Sequence, residues 1–155
     1  MIRSEKRLRL CAALIVANLV FIWGNSLLPG SASGAFSDWV KELLSMLMPW
    51  SGPDDGGGTG LLRKLAHFSE FALLGFLLSW LVGMLDRNRF LALAGGFLAA
   101  CVDETIQRFV PDRGPSLWDV GIDTCGAAAG MMLLWLGYTV YKKRNHQYPL
   151  EEMNQ

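Results

Sequence analysis

Charge is scarce in this chain: 18% of its 155 residues are Asp, Glu, Lys or Arg, while 52% are hydrophobic. Reactive ligands are scarce too, with three cysteines and two histidines. Neither a Cys-x-x-Cys nor a His-x-x-x-His spacing occurs, which removes the common signatures of zinc and dithiol chemistry. Cys11, Cys101 and Cys125 are odd in number and scattered through apolar runs, so they read as small packing residues rather than a disulfide set. Proline is sparse as well, and long apolar stretches run without interruption. The formal net charge is zero, and no nucleic-acid partner is expected.

What the chain has is length in apolar segments. A membrane-spanning helix needs about 20 mainly apolar residues. Residues 8–28, 61–85, 90–109 and 118–141 meet that length, and together they use most of the chain. One polytopic domain over residues 1–145 is expected, with a polar tail at 146–155. The alternative, four buried helices of a soluble globule, fits these lengths less well. Arg3, Lys6, Arg7 and Arg9 before an apolar run also resemble a signal peptide, and Ser31–Ala35 supplies small residues for cleavage. The run exceeds a usual signal core, so an uncleaved first span is expected.

Basic residues are distributed unevenly. The N-terminal four, Arg87 and Arg89, and Lys142, Lys143 and Arg144 would share one side of a four-span protein, nine of the 14 in all. The positive-inside rule then places both termini in the cytoplasm of a multi-pass protein of the bacterial cytoplasmic membrane. The loop at 29–60 falls outside. Within it Phe36, Trp39, Val40, Leu43, Leu44 and Leu47 recur at helical spacing up to Pro49, which predicts an extracytoplasmic interfacial amphipathic helix. Ser51–Gly60 reads as a hinge by composition. The fold class is therefore an all-α membrane protein with four transmembrane helices and one interfacial helix.

Ionisable groups inside such spans cost on the order of 2.5–3.5 kcal/mol each and usually face the bundle interior. The stretch from Asp103 to Gly130 is rich in them. Lys64, His67 and Glu70 lie on one face of the second span. In the third span Asp103 pairs in spacing with Gln107, and Glu104 with Arg108, the latter in the favourable orientation for a local ion pair. Pro111-Asp112-Arg113-Gly114-Pro115 forms a tight turn, expected to hold Arg113 near the outer headgroup level, where its forked donors suit a phosphate or carboxylate. Ser116 is a candidate N-cap. Along the last helix Ser116, Asp119, Asp123, Gly126 and Gly130 form one stripe whose Gly-x-x-x-Gly spacing permits close helix packing. Glu70, Asp103 and Asp123 each lie about 10–13 Å from the outer end of their helices at 1.5 Å per residue, which predicts that they converge.

Taken together, Lys64, His67, Phe68, Glu70 and Phe71, then Asp103, Glu104, Gln107, Phe109, Pro111 and Arg113, then Ser116, Asp119, Asp123, Gly126 and Gly130 resemble the VanZ-like family of small bacterial membrane proteins, named for a protein conferring teicoplanin resistance. Asn25-Ser26 is similar to the serine-containing end of that family's first helix. The resemblance covers roughly residues 18–141. One departure is Asp123, where the family usually carries Asn; it adds an ionisable group. The resemblance implies a role at the cell envelope and specifies no reaction.

The preferred reading is a binding site for an anionic membrane lipid or lipid-linked envelope precursor. It would be formed by Lys64, His67, Glu70, Asp103, Glu104, Gln107, Arg113, Ser116, Asp119 and Asp123, with lowered susceptibility to lipoglycopeptides as an outcome. A second reading is an intramembrane enzyme in which His67, Glu70 and Asp103 perform acid–base or metal-assisted chemistry. A third is a structural protein whose polar groups lock the helices, alone, in an oligomer or against another envelope protein. No metal or cofactor is expected.

Overall fold

The computed structural model describes residues 2–31, 42, 57–114 and 116–147. Among these residues it holds four long helices: α1 (Ile2–Ser26), α2 (Gly57–Met84), α3 (Phe90–Gln107) and α4 (Leu117–Gln147). Each contains a segment long and apolar enough to cross a membrane: Glu5–Ser26, Leu62–Met84, Phe90–Gln107 and Leu117–Arg144. These bounds agree with the spans expected from the sequence to within a few residues. The expected interfacial helix lies, apart from Glu42, outside the described residues.

The turns explain where the helices stop. At the end of α2, Asp86 takes a positive φ of 50°. Its amide donates to the Gly83 carbonyl at 3.4 Å, and the Arg87 amide donates to Val82 at 3.0 Å. That is a Schellman ending, with aspartate in the left-handed position more often filled by glycine. Asn88 then opens α3, its Oδ1 accepting the Phe90 amide at 3.0 Å. At the other end of the bundle α4 starts as expected: the Ser116 hydroxyl accepts the Trp118 amide at 3.2 Å, satisfying one otherwise orphaned donor.

α2 packs most extensively against α4, and α1 and α3 also pack against α2. Gly126 and Gly130 make the α2–α4 approach possible. A Cβ at Gly126 would collide with the Phe68 carbonyl, and one at Gly130 with the Ala72 carbonyl. The expected glycine stripe is therefore the seam of the bundle. Below the seam Cys11, Ile15, Ile22, Phe71, Leu74, Leu77, Ala99 and Ala100 form the core. The Cys11 thiol donates to the Leu77 carbonyl at 3.5 Å. The cysteines divide, against the expectation that all three pack inside: Cys11 is buried, Cys101 half-buried and Cys125 exposed, all of them free.

The outside of the bundle carries Leu10, Val16, Val20 and Phe21 on α1, and Leu133, Trp135 and Leu136 on α4, all well exposed. Meanwhile Asp103 and Asp123 are buried. Large apolar residues outside and carboxylates inside invert the pattern of a water-soluble helical protein and match one whose surroundings are lipid.

Candidate functional site

The polar groups gather at one end of the bundle, where α1 and α3 finish and α2 and α4 begin. α1 contributes Asn25 and Ser26 from its last turn. α2 brings Arg63, Lys64, His67 and Glu70 within its first turns in the membrane. α3 brings Asp103, Glu104 and Gln107, the α3–α4 turn brings Arg113, and α4 brings Ser116, Asp119 and Asp123.

Asp103, like Ser26, has no solvent exposure. Its Oδ2 accepts a hydrogen bond from Gln107 Nε2 at 2.7 Å. The same Gln107 nitrogen lies 3.4 Å from the Ser26 hydroxyl, tying α3 to α1. His67 Nδ1 stands 3.9 Å from Asp103 Oδ2, beyond hydrogen-bond length. Asp123 is also buried, and its Oδ1 has no hydrogen-bond partner. One donor atom each from His67, Asp103 and Asp123 lie within 4.8 Å of one another.

Glu70 converges less tightly. Its Oε1 is held at 3.1 Å by Asn25 Nδ2 from α1. Expected convergence therefore holds for Asp103 and Asp123, while Glu70 is drawn aside by an amide.

Glu104 corrects another expectation. It is buried and Arg108 is exposed. Among the described residues no ion pair joins them. The Glu104 carboxylate turns instead to α4, where Oε2 accepts the Ser116 amide at 2.8 Å. A carboxylate at a helix N-terminus is favoured both by the orphan amide and by the helix dipole. Helical spacing put Arg108 within reach; the tertiary fold offered a better donor.

Arg113 points toward the last turn of α1. Its Nη2 donates to the Asn25 carbonyl at 3.1 Å, while Nε and Nη1 are buried without partners. Burial is the largest influence lowering its pKa from the usual guanidinium value, and the neighbouring Arg63 charge acts in the same direction. Asp103, Glu104 and Glu70 act oppositely. A guanidinium keeps its proton throughout the physiological range, so Arg113 is a fixed positive charge. Its turn is shaped by Asp112, whose φ is 59°; the unusual backbone angle thus falls on an aspartate, a residue that tolerates it.

Lys64 forms the outer part of the site, with Nζ 3.9 Å from Asp119 Oδ1. Both side chains are partly solvent-exposed, so this pair is screened and weak. Beside it Arg63, which sequence reasoning passed over, lines the same cavity with His67, Glu104, Gln107, Asp119 and Asp123. A signal for Arg63 was present, since it precedes His67 by four residues on the same helix.

The cavity volume is about 10 Å³, room for one water-sized occupant. That size decides what can enter. A single ion or water fits within, whereas a lipid headgroup has to remain at the mouth with Arg63 and Lys64. Flanking the α3–α4 turn, Phe109, Leu117 and Trp118 are 81%, 91% and 82% exposed. Aromatic residues so placed suit the interface between headgroups and acyl chains.

A family model described as VanZ/LLP1 matches residues 9–138. No curated protein and no solved structure matches the chain.

Proposed function

The chain belongs to the VanZ/LLP1 family, and from that premise we propose that its polar bundle end binds the anionic headgroup of a membrane lipid or lipid-linked envelope component. The observation carrying this reading is a pair of cations, Arg63 and Lys64, at the mouth of an acid-lined cavity, beside the exposed apolar residues Leu117 and Trp118. A phosphate entering laterally from the headgroup layer meets the cations first, while its acyl chains stay against the apolar flank. Charge-assisted hydrogen bonds from Lys and Arg to phosphate are among the stronger polar contacts available. Carboxylates behind them orient the cations and favour headgroups that also carry amine or hydroxyl groups.

The basic residues at both termini and in the α2–α3 turn support placing the site on the extracytoplasmic face of the bacterial cytoplasmic membrane. There the protein would alter access to lipid-anchored precursors, which connects the reading to lowered susceptibility to teicoplanin-like lipoglycopeptides.

Retention of lipid through purification tests the binding step. In native mass spectrometry from a neutral detergent, the wild-type protein is expected to keep phosphatidylglycerol in preference to phosphatidylcholine. An Arg63→Ala/Lys64→Ala double variant should lose that preference by about tenfold or more, equivalent to about 1.4 kcal/mol. Equal retention of both lipids by wild type and variant would sink the headgroup reading.

A further inference from the structure

We propose that His67, Asp103 and Asp123 form a binding site for a single divalent transition-metal cation. This inference goes beyond the headgroup reading and does not depend on it. The buried atoms without a hydrogen-bond partner at this end include His67 Nδ1 from α2, Asp103 Oδ1 from α3 and Asp123 Oδ1 from α4, beside Glu70 Oε2, Glu104 Oε1 and Asp119 Oδ1. Asp103 has 0% and Asp123 1% of its surface exposed. A buried carboxylate oxygen left without a donor is costly, and such orphans are uncommon in a folded protein. Here they occur together, beside a cavity that Asp123 and His67 line.

The distances are close to those of a metal site. One candidate donor atom from each residue lies within 4.8 Å of the others. Metal–nitrogen and metal–oxygen bonds of about 2.0–2.2 Å place two donors at most roughly 4.3 Å apart across the ion. Three donors around one such ion lie at most about 3.7 Å from one another, so a contraction of up to about 1 Å brings them onto a common centre. The neighbouring space, about 10 Å³ in volume, admits a water as a further ligand.

Gln107 supplies the supporting contact. By donating to Asp103 Oδ2 at 2.7 Å, it holds the carboxylate while Oδ1 stays free. Outer hydrogen bonds that fix a metal-ligating carboxylate in this way are typical of metal centres. One imidazole nitrogen with two carboxylate oxygens suits Mn²⁺, Fe²⁺ or Zn²⁺ better than a soft ion that prefers thiolates.

Charge balance agrees. The carboxylates at this end are Glu70, Asp103, Glu104, Asp119 and Asp123, and the fixed cations are Arg63, Lys64 and Arg113, an excess of two carboxylates. Lys64 is engaged with Asp119 and Arg113 with the Asn25 carbonyl, so neither directly neutralises Asp123. A divalent ion held among His67, Asp103 and Asp123 would offset that excess where it is most enclosed.

The test uses the full-length protein, purified in a neutral detergent, stripped with chelator and then titrated separately with MnCl₂ and ZnCl₂. Elemental analysis after desalting should find about one metal per chain, and electron paramagnetic resonance should show Mn²⁺ becoming immobilised. Asp103→Asn and Asp123→Asn should each weaken binding at least tenfold, while Glu5→Gln, at the opposite end of α1, leaves it unchanged. Circular dichroism and monodisperse elution establish that the variants remain folded. If either isosteric variant fails to fold, His67→Gln carries the same expectation. No binding above the detergent blank up to millimolar metal, or binding equal in wild type and folded variants, overturns the proposal.

Discussion

Gly130→Leu should severely destabilise the folded bundle. In α4 this glycine faces the Ala72 carbonyl and lies close to the Phe76 amide nitrogen, at 2.8 Å from the position a Cβ would take. Both obstacles are backbone, so no rotamer change relieves the collision. α2 and α4 have to separate along the seam that also carries His67 on one side and Asp123 on the other. Overpacking a core usually costs about 1–3 kcal/mol; a forced separation of two main chains belongs at or above the top of that range. The expected result in neutral detergent is aggregation, or a monodisperse fraction with a greatly lowered melting temperature. Gly137 provides the control on the same helix, because nothing lies within 4 Å of where its Cβ would stand. Gly137→Ala should be neutral or stabilising by up to about 1 kcal/mol, the helix-propensity difference. Similar damage at both positions would contradict the seam.

The second large effect is expected at Arg113. This side chain bridges the α3–α4 turn to the last turn of α1 through the Asn25 carbonyl. Its positive charge also offsets Asp103, Glu104 and Glu70. Arg113→Met keeps the aliphatic bulk and removes both roles. Breaking a fully buried charge cluster costs about 3–5 kcal/mol; Arg113 is only half-buried, and solvent screening reduces that to about 2–3 kcal/mol. Lysine is a poor substitute, since its compact, strongly hydrated ammonium is costlier to hold half-buried than a delocalised guanidinium. Thermal unfolding should therefore rank wild type above Arg113→Lys and Arg113→Lys above Arg113→Met. Anionic-lipid retention should fall in the same order. A methionine variant that melts with wild type would remove Arg113 from the account.

Much of this was legible in the sequence because lipid imposes a simple rule. Apolar runs of spanning length become helices, since the backbone must satisfy its own hydrogen bonds. The stripe Ser116, Asp119, Asp123, Gly126 and Gly130 was readable for the same reason: helical periodicity fixes which residues share a face. What spacing does not specify is the competition among partners from different helices. Glu104 had a neighbour four residues away, yet the orphan Ser116 amide at the start of α4 claimed its carboxylate. Glu70 was diverted by Asn25, 45 positions earlier in the chain. Arg113 reaches the Asn25 carbonyl at the end of α1, which also accepts the Leu28 amide at 3.2 Å. Each of these is a contact between distant segments, set by bundle geometry.

Cavity size alters the picture in a way composition does not reveal. Ten polar residues gathered at one end suggest a pocket for a headgroup, yet the interior accommodates only a water-sized occupant. The site therefore has two levels: a cationic mouth at Arg63 and Lys64, and a closed carboxylate interior around Asp103 and Asp123.

The central claim is that an anionic lipid docks at that mouth from the outer leaflet. Photo-crosslinking in spheroplasts measures this most directly, using a phosphatidylglycerol probe with a headgroup-proximal diazirine introduced into the outer leaflet. The account predicts adducts concentrated on the segments 62–67 and 117–123, reduced at least several-fold by the Arg63→Ala/Lys64→Ala change. Adducts concentrated instead on the α2–α3 turn at 85–90, or spread evenly over the lipid-facing helices and indifferent to that change, would contradict it.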